Sequence, residues 1–175
     1  MRTSKTQKIT LCALFAALTA VLSQIVIPIG PVPINMATLA VFCAGGLLGA
    51  RHGALSLVIW AILGVVGVPV FTLFRSGPET LAGPTGGFIV GYIPAAFIIG
   101  LITERLNKGN RIRTYVTAML LGMLTYFLLG TAWFMYLTNA ELRSTLMICV
   151  VPFLPGDFLK IAVATVLVRR LRPMV

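Results

Sequence analysis

Charge is scarce in this 175-residue chain. Asp, Glu, Lys and Arg together make up 10% of it, against roughly 25% in an average soluble domain, too few to cover a water-facing surface. Acids are scarcer still: there are four, and Asp157 is the only aspartate. His52 is the only histidine. These shortages exclude chemistries one by one. An aspartyl dyad needs a second aspartate, and an H-E-x-x-H zinc site needs a second histidine. A Ser-His-Asp triad would have to bring His52 to Asp157. The phosphate-binding pattern G-x-x-x-x-G-K-[ST] is absent, so the chain binds no ATP by that motif, and any driving energy must come from a partner or a gradient. Cys12, Cys43 and Cys149 lie in three separate apolar runs without metal-ligand spacing. They read as small buried apolar residues, with neither a disulfide framework nor a metal site expected.

What the chain has in plenty is apolar residues, 58% of the total. They come in long runs, which excludes a soluble enzyme and a disordered chain alike. The reading is an all-α integral membrane protein, one domain spanning 1–175. A hydrocarbon core of roughly 30 Å needs about 20 apolar helical residues per crossing. Six crossings are expected, at about 9–27, 35–50, 54–74, 88–102, 115–137 and 146–168. The first follows Arg2, Lys5 and Lys8, as a signal peptide would. It is long for a signal-peptide apolar core and lacks a small-x-small cleavage site near its end, so it reads as a retained helix. Pro152, Pro155 and Gly156 interrupt the start of the sixth.

The net charge of +10 does not point to nucleic acid, because the basic residues cluster between apolar runs rather than along one face. With the N-terminus inside, eleven of the fourteen fall in cytosolic segments: Arg2, Lys5, Lys8, Arg51, Arg105, Lys108, Arg111, Arg113, Arg169, Arg170 and Arg172. Only Arg75 and Arg143 fall in outer loops. Both termini are therefore placed in the cytosol, with the basic surplus facing anionic lipid headgroups. In this topology His52 and Asp157 lie at opposite membrane faces.

Small residues recur at four-residue spacing in Gly45, Gly49 and Gly53, in Gly87, Gly91 and Ala95, and on the first helix in Ala13 with Ala17 and Ala16 with Ala20. Such spacing lets helices approach closely in lipid, and for the glycines intramolecular packing is the expectation. Trp133 and Tyr136 fall where an aromatic belt is expected at the outer interface, with stacking of Trp133 on a ligand as the alternative. Asp157 and Lys160 are the informative pair. Three residues apart on a helix, they share a face, and charged groups at membrane depth face a protein interior or a cavity. The alternative is a self-satisfied pair that only orients the helix. Two loops, 28–33 and 72–87, could close over such a site.

Several segments taken in order look familiar. Pro31-Val32-Pro33-Ile34 with Thr38-Leu39-Ala40-Val41, Gly67-Val68-Pro69-Val70-Phe71, Gly83-Pro84-Thr85-Gly86-Gly87-Phe88, and Pro152-Phe153-Leu154-Pro155-Gly156-Asp157-Phe158-Leu159-Lys160 resemble the BioY family, the biotin-binding S components of energy-coupling factor transporters. The resemblance covers nearly the whole chain. It implies six transmembrane helices in a prokaryotic cytoplasmic (inner) membrane and a biotin pocket near the outer face. It also implies a transmembrane coupling subunit and a pair of cytosolic ATP-binding-cassette ATPases as partners, with biotin as transported ligand and no cofactor. On it, Asp157 would accept a ureido N–H, and Lys160 would balance that charge or meet the valerate carboxylate. Phe71, Phe88 and Tyr92 would wall the bicycle, with amides near Thr85 and the side chain of Asn35 adding polar contacts. The first helix would dock the coupling subunit through Ala13 with Ala17, or through Ala16 with Ala20. The chain departs from the family pattern at Asn35-Met36-Ala37-Thr38, where Thr-Leu-Gln-Thr is common and Ala37 removes a polar group. It departs again at Phe88, in place of a tyrosine, and at Leu73-Phe74-Arg75, where small residues are commoner. An S component for another vitamin and an intramembrane enzyme are the alternative functions.

Overall fold

The computed structural model describes residues 5–28, 32–106 and 111–172. Arg2, Pro31 and Lys108, named above, lie outside the described residues. Helix α1 (Lys5–Leu22) has no proline or glycine to interrupt it. Cys12, Phe15, Ala16 and Thr19 form its buried face, while Leu14, Leu18 and Val21 are exposed. Such a helix, apolar on its exposed side too, suits lipid or a partner rather than water. It ends earlier than the apolar run. The β-branched stretch Ile25-Val26-Ile27 before Pro28 favours extended backbone, and β1 (Val26–Ile27) pairs antiparallel with β2 (Ile34–Asn35). This short ribbon sets Asn35 at the entrance to α2.

Helix α2 (Ala37–Val65) joins the second and third expected runs. It is not a straight rod. Gly49 sits at φ 80 and ψ −175, backbone essentially restricted to glycine. A Cβ on Gly53 would lie 2.8 Å from the carbonyl oxygen of Ala44 and 3.0 Å from Cα of Gly45. In a continuous helix those residues would be about 12 Å apart along the axis, so the chain folds back at Gly49 into two antiparallel halves, 37–48 and 50–65. The reversal frees the amide of Ala50, which donates to Oε1 of Glu104 at 3.2 Å. Gly45 and Gly91 sit where a Cβ would crowd Ala96 and Tyr126, so the glycine stripes are used for packing inside the molecule.

The third run was expected to reach about Phe74, loosened at its far end by Gly64, Gly67 and Pro69, and the helix stops within that loosened part, at Val65. Gly67 (φ 111) and Pro69 end it, and a loop follows with a 3-10 turn at Thr72–Phe74. Leu73 and Phe74 hold φ of 61 and 56 there, unusual for bulky residues. Then come α3 (Pro78–Ala82), α4 (Gly86–Leu106) and α5 (Ile112–Thr138), the last closed by Asn139 in the left-handed region. The sixth run divides into α6 (Leu142–Cys149) and α7 (Leu154–Leu171), bent by 48°. Pro155, in the first turn of α7, suits a helix start, where its missing N–H costs nothing.

By length and apolar composition α2, α4 and α5 can cross a membrane, and the bent α6–α7 pair makes a fourth candidate, with α1 shorter. This is a multi-pass helical membrane protein. Both outer ends of the α2 hairpin, at Thr38 and Trp60, border one cavity together with Asp157. The hairpin's tip borders a separate, wider depression at the other end of the bundle, with Lys8, Arg51, His52 and Arg105. His52 and Asp157 therefore stand at opposite ends, and no triad can form between them.

Candidate functional site: a polar cavity at one end of the bundle

Asp157 is in the first turn of α7, where the positive end of the helix dipole favours a carboxylate. It is 1% exposed and Lys160 is 6% exposed. Lys160 Nζ donates to Asp157 Oδ1 at 2.8 Å, to the Asn35 carbonyl oxygen at 2.7 Å and to Thr38 Oγ1 at 2.9 Å. An ammonium has three N–H donors, and all three are engaged. Thr38, in the first turn of α2, donates its hydroxyl to the same Oδ1 at 3.1 Å. Tyr126 of α5 donates to Oδ2 at 2.5 Å. One carboxylate thus ties α2, α5 and α7 together.

Above this network lies a cavity of about 220 Å³, just under the roughly 300–1,000 Å³ of clefts for drug-sized ligands. Its floor is polar and its walls are aromatic. Trp60 meets Phe71 edge-on at 5.2 Å between ring centres, Tyr92 meets Tyr126 edge-on at 5.5 Å, and the Trp60 and Tyr92 rings lie 6.2 Å apart. Trp60 is fixed in turn by donating Nε1–H to the Val70 carbonyl at 3.1 Å. Asn35 donates to Thr72 Oγ1 at 2.8 Å and accepts from the Ala37 amide at 3.0 Å. The loop at the mouth is pinned to the end of α1. Ser23 donates to the Val70 carbonyl, Gln24 Nε2 donates to the Phe71 carbonyl, and Gln24 Oε1 accepts from the Phe74 amide.

The structure sets Asp157, Lys160, Thr85, Phe88, Tyr92, Phe71 and Asn35 around this single cavity. Near Thr85, the Gly86 amide is already bonded to the Gly83 carbonyl at 3.0 Å, so fewer amides are available there than expected. Trp133 is not in the cavity wall. It donates to the Gly83 carbonyl at 3.0 Å and so holds the start of α4. Ala37 is fully buried in the core and is not part of the cavity wall, although Asn35 and Thr38 on either side of it are. On α1 the two alanine pairs separate. Ala16 is buried in the core and Ala20 packs against it, which corrects the option of docking through that pair, while Ala13 and Ala17 are exposed. Sequence reasoning missed Thr38, Trp60 and Tyr126 as cavity residues. Thr38 stood in a recognised segment without a role, and Tyr126 sat mid-run, where periodicity alone cannot tell a wall from a core.

A helical membrane protein in which an aromatic-walled cavity rests on a buried Asp–Lys pair has the form of a binding or transport subunit. The BioY family model matches residues 1–175, and the chain belongs to the BioY family. It is 38% identical over 168 residues to a protein named probable biotin transporter BioY from Pyrococcus horikoshii, covering 96% of this chain and 98% of that one. It is 34% identical to the biotin transporter BioY of Thermotoga maritima, covering 92% and 93% of the two chains. Its fold matches the crystal structure of the S-component for biotin from an ECF-type ABC transporter with a TM-score of 0.90 and 31% identity, over 99% of this chain and 94% of that one.

Proposed function

We propose that this protein is the biotin-binding membrane subunit of a vitamin uptake system, a single membrane-embedded domain without catalytic activity. The observation that supports it most is the buried Asp157 carboxylate, presented at the floor of an aromatic-walled cavity in a family of biotin transporters. The ureido group of biotin carries two N–H donors, and a carboxylate held by Thr38, Tyr126 and Lys160 still has lone pairs to accept one. With its donors engaged, Lys160 balances the charge of Asp157 rather than reaching for the ligand. Phe71, Phe88 and Tyr92 cover the apolar bicycle, Asn35 and Thr85 add polar contacts, and biotin is cargo, not cofactor. Titration of the purified protein with biotin, thiamine and riboflavin tests this. Saturable binding of biotin alone is expected, and binding of either other vitamin in its place would overturn the assignment.

Six crossings follow if the two halves of α2 are counted separately and α6–α7 as one. The basic residues Lys8, Arg51 and Arg105 share the end opposite the cavity, which agrees with termini in the cytosol of a prokaryotic cell and a cavity open to the outside. Single cysteines at Arg75 and Lys108 in a cysteine-free background should differ on intact cells. Position 75 should react with an impermeant thiol reagent and position 108 should not, and the reverse pattern would invert the topology. ATP hydrolysis is supplied by a pair of ABC-type ATPases through a transmembrane coupling subunit, docked on the exposed Ala13 and Ala17 of α1.

A further inference from the structure

The cavity wall carries one carboxylate, Asp157, and two cations, Lys160 and Arg75. Asp157 and Lys160 neutralise each other at 2.8 Å. Arg75 is different. It is exposed at the mouth, and among the described residues no carboxylate pairs with it. The nearest acid in sequence, Glu79, is not part of the wall, and its carboxylate lies back over Gly77. The cavity thus has a surplus positive charge, located at its rim.

The backbone that carries Arg75 is fixed before any ligand arrives. The Arg75 carbonyl accepts from the Phe71 amide at 3.0 Å, closing a tight loop. Leu73 and Phe74 take left-handed backbone inside it, which persists only where surrounding contacts hold it. Those contacts are Gln24 on Phe74 and Asn35 on Thr72. A charged arginine on a pre-formed loop at a ligand cavity is suited to planar anions, because its guanidinium presents a fork of donors matched to a carboxylate.

We propose that Arg75 is the specificity-determining residue for the ligand's anionic end: it binds the carboxylate of a small acid whose uncharged, hydrogen-bonding end rests on Asp157. This deepens the biotin reading and rests on it, with the ureido ring at the floor and the valerate carboxylate at the rim. Lys160 cannot take that part without giving up one of its three bonds.

The test is titration of wild type, Arg75→Gln and Arg75→Lys with biotin and with biotinamide, in which a neutral amide replaces the carboxylate. Wild type should prefer biotin by about ten- to a hundredfold. Arg75→Gln should bind both ligands with the affinity that wild type shows for biotinamide, which also reports that the variant is folded. Arg75→Lys should keep part of the preference. Retention of the full preference in Arg75→Gln, or no preference in wild type, would overturn the role of Arg75 while leaving biotin binding intact. Failure of wild type to bind biotin at all would instead overturn the function proposed above, and this role with it.

Discussion

Lys160→Met should destabilise the protein by about 3–5 kcal/mol, because it leaves the buried Asp157 carboxylate without its counter-charge. Asp157→Asn should cost a similar amount, since it strands an ammonium among Asn35, Thr38 and an amide. The pair is almost wholly removed from solvent, so screening by water or salt cannot soften either change. The double variant should recover most of the lost stability, because removing both charges of a buried pair is often neutral or stabilising. Biotin affinity should behave otherwise. All three variants should bind about ten- to a hundredfold more weakly, because the charged acceptor has been lost or displaced, and a hydrogen bond to a charged group is worth roughly 1.5–3 kcal/mol. Thermal unfolding and biotin titration on the same three proteins separate the two effects. A double variant with wild-type affinity would reduce Asp157 and Lys160 to a structural pair, and wild-type affinity in both single variants would remove this floor from the ligand site.

Ala13→Leu combined with Ala17→Leu should abolish biotin uptake in cells, to within background, while leaving binding by the purified protein unchanged. Both side chains are exposed on α1, so the larger residues are not forced into the core and should not unfold the protein. What they remove is close approach, which small residues provide between helices in lipid. Co-purification of the coupling subunit and ATPases should fall in parallel. Ala16→Leu is the informative contrast. That residue is buried in the core, so its enlargement should damage the fold itself by about 1–3 kcal/mol and lower binding as well as uptake. Undiminished uptake in the Ala13/Ala17 variant would place the docking face elsewhere.

The membrane class, the family and the presence of a polar pair in the last apolar run were all legible in the sequence. Long charge-free runs and a lone Asp–Lys pair in one of them are strong physical signals, because lipid tolerates few alternatives. Helix ends were less legible. The run to Phe74 is free of charge throughout, and Gly64, Gly67 and Pro69 marked its far end as loosened without fixing where the helix stops. The reversal at Gly49 was legible as the turn expected near Arg51 and His52 between two crossings, but the bond from Ala50 to Glu104 was not, since it joins residues 54 positions apart. Tyr126 was invisible for a similar reason. Its hydroxyl meets Asp157 across 31 residues of chain, and one tyrosine in an apolar helix carries no periodic mark. The two alanine pairs of α1 were indistinguishable in sequence because both have the same spacing. Their difference is a rotation about the helix axis, which only packing against α2 decides.

The clamp at Ser23 and Gln24 has a mechanical consequence. Through it, the 18-residue rod of α1 is tied directly to the loop that forms one wall of the cavity. Ala13 and Ala17 lie on the shaft of that rod, and Phe71 and Arg75 sit at its head. Were a docked partner to tilt the shaft, the hydrogen bonds of residues 23 and 24 would be the joint that carries the displacement to the wall.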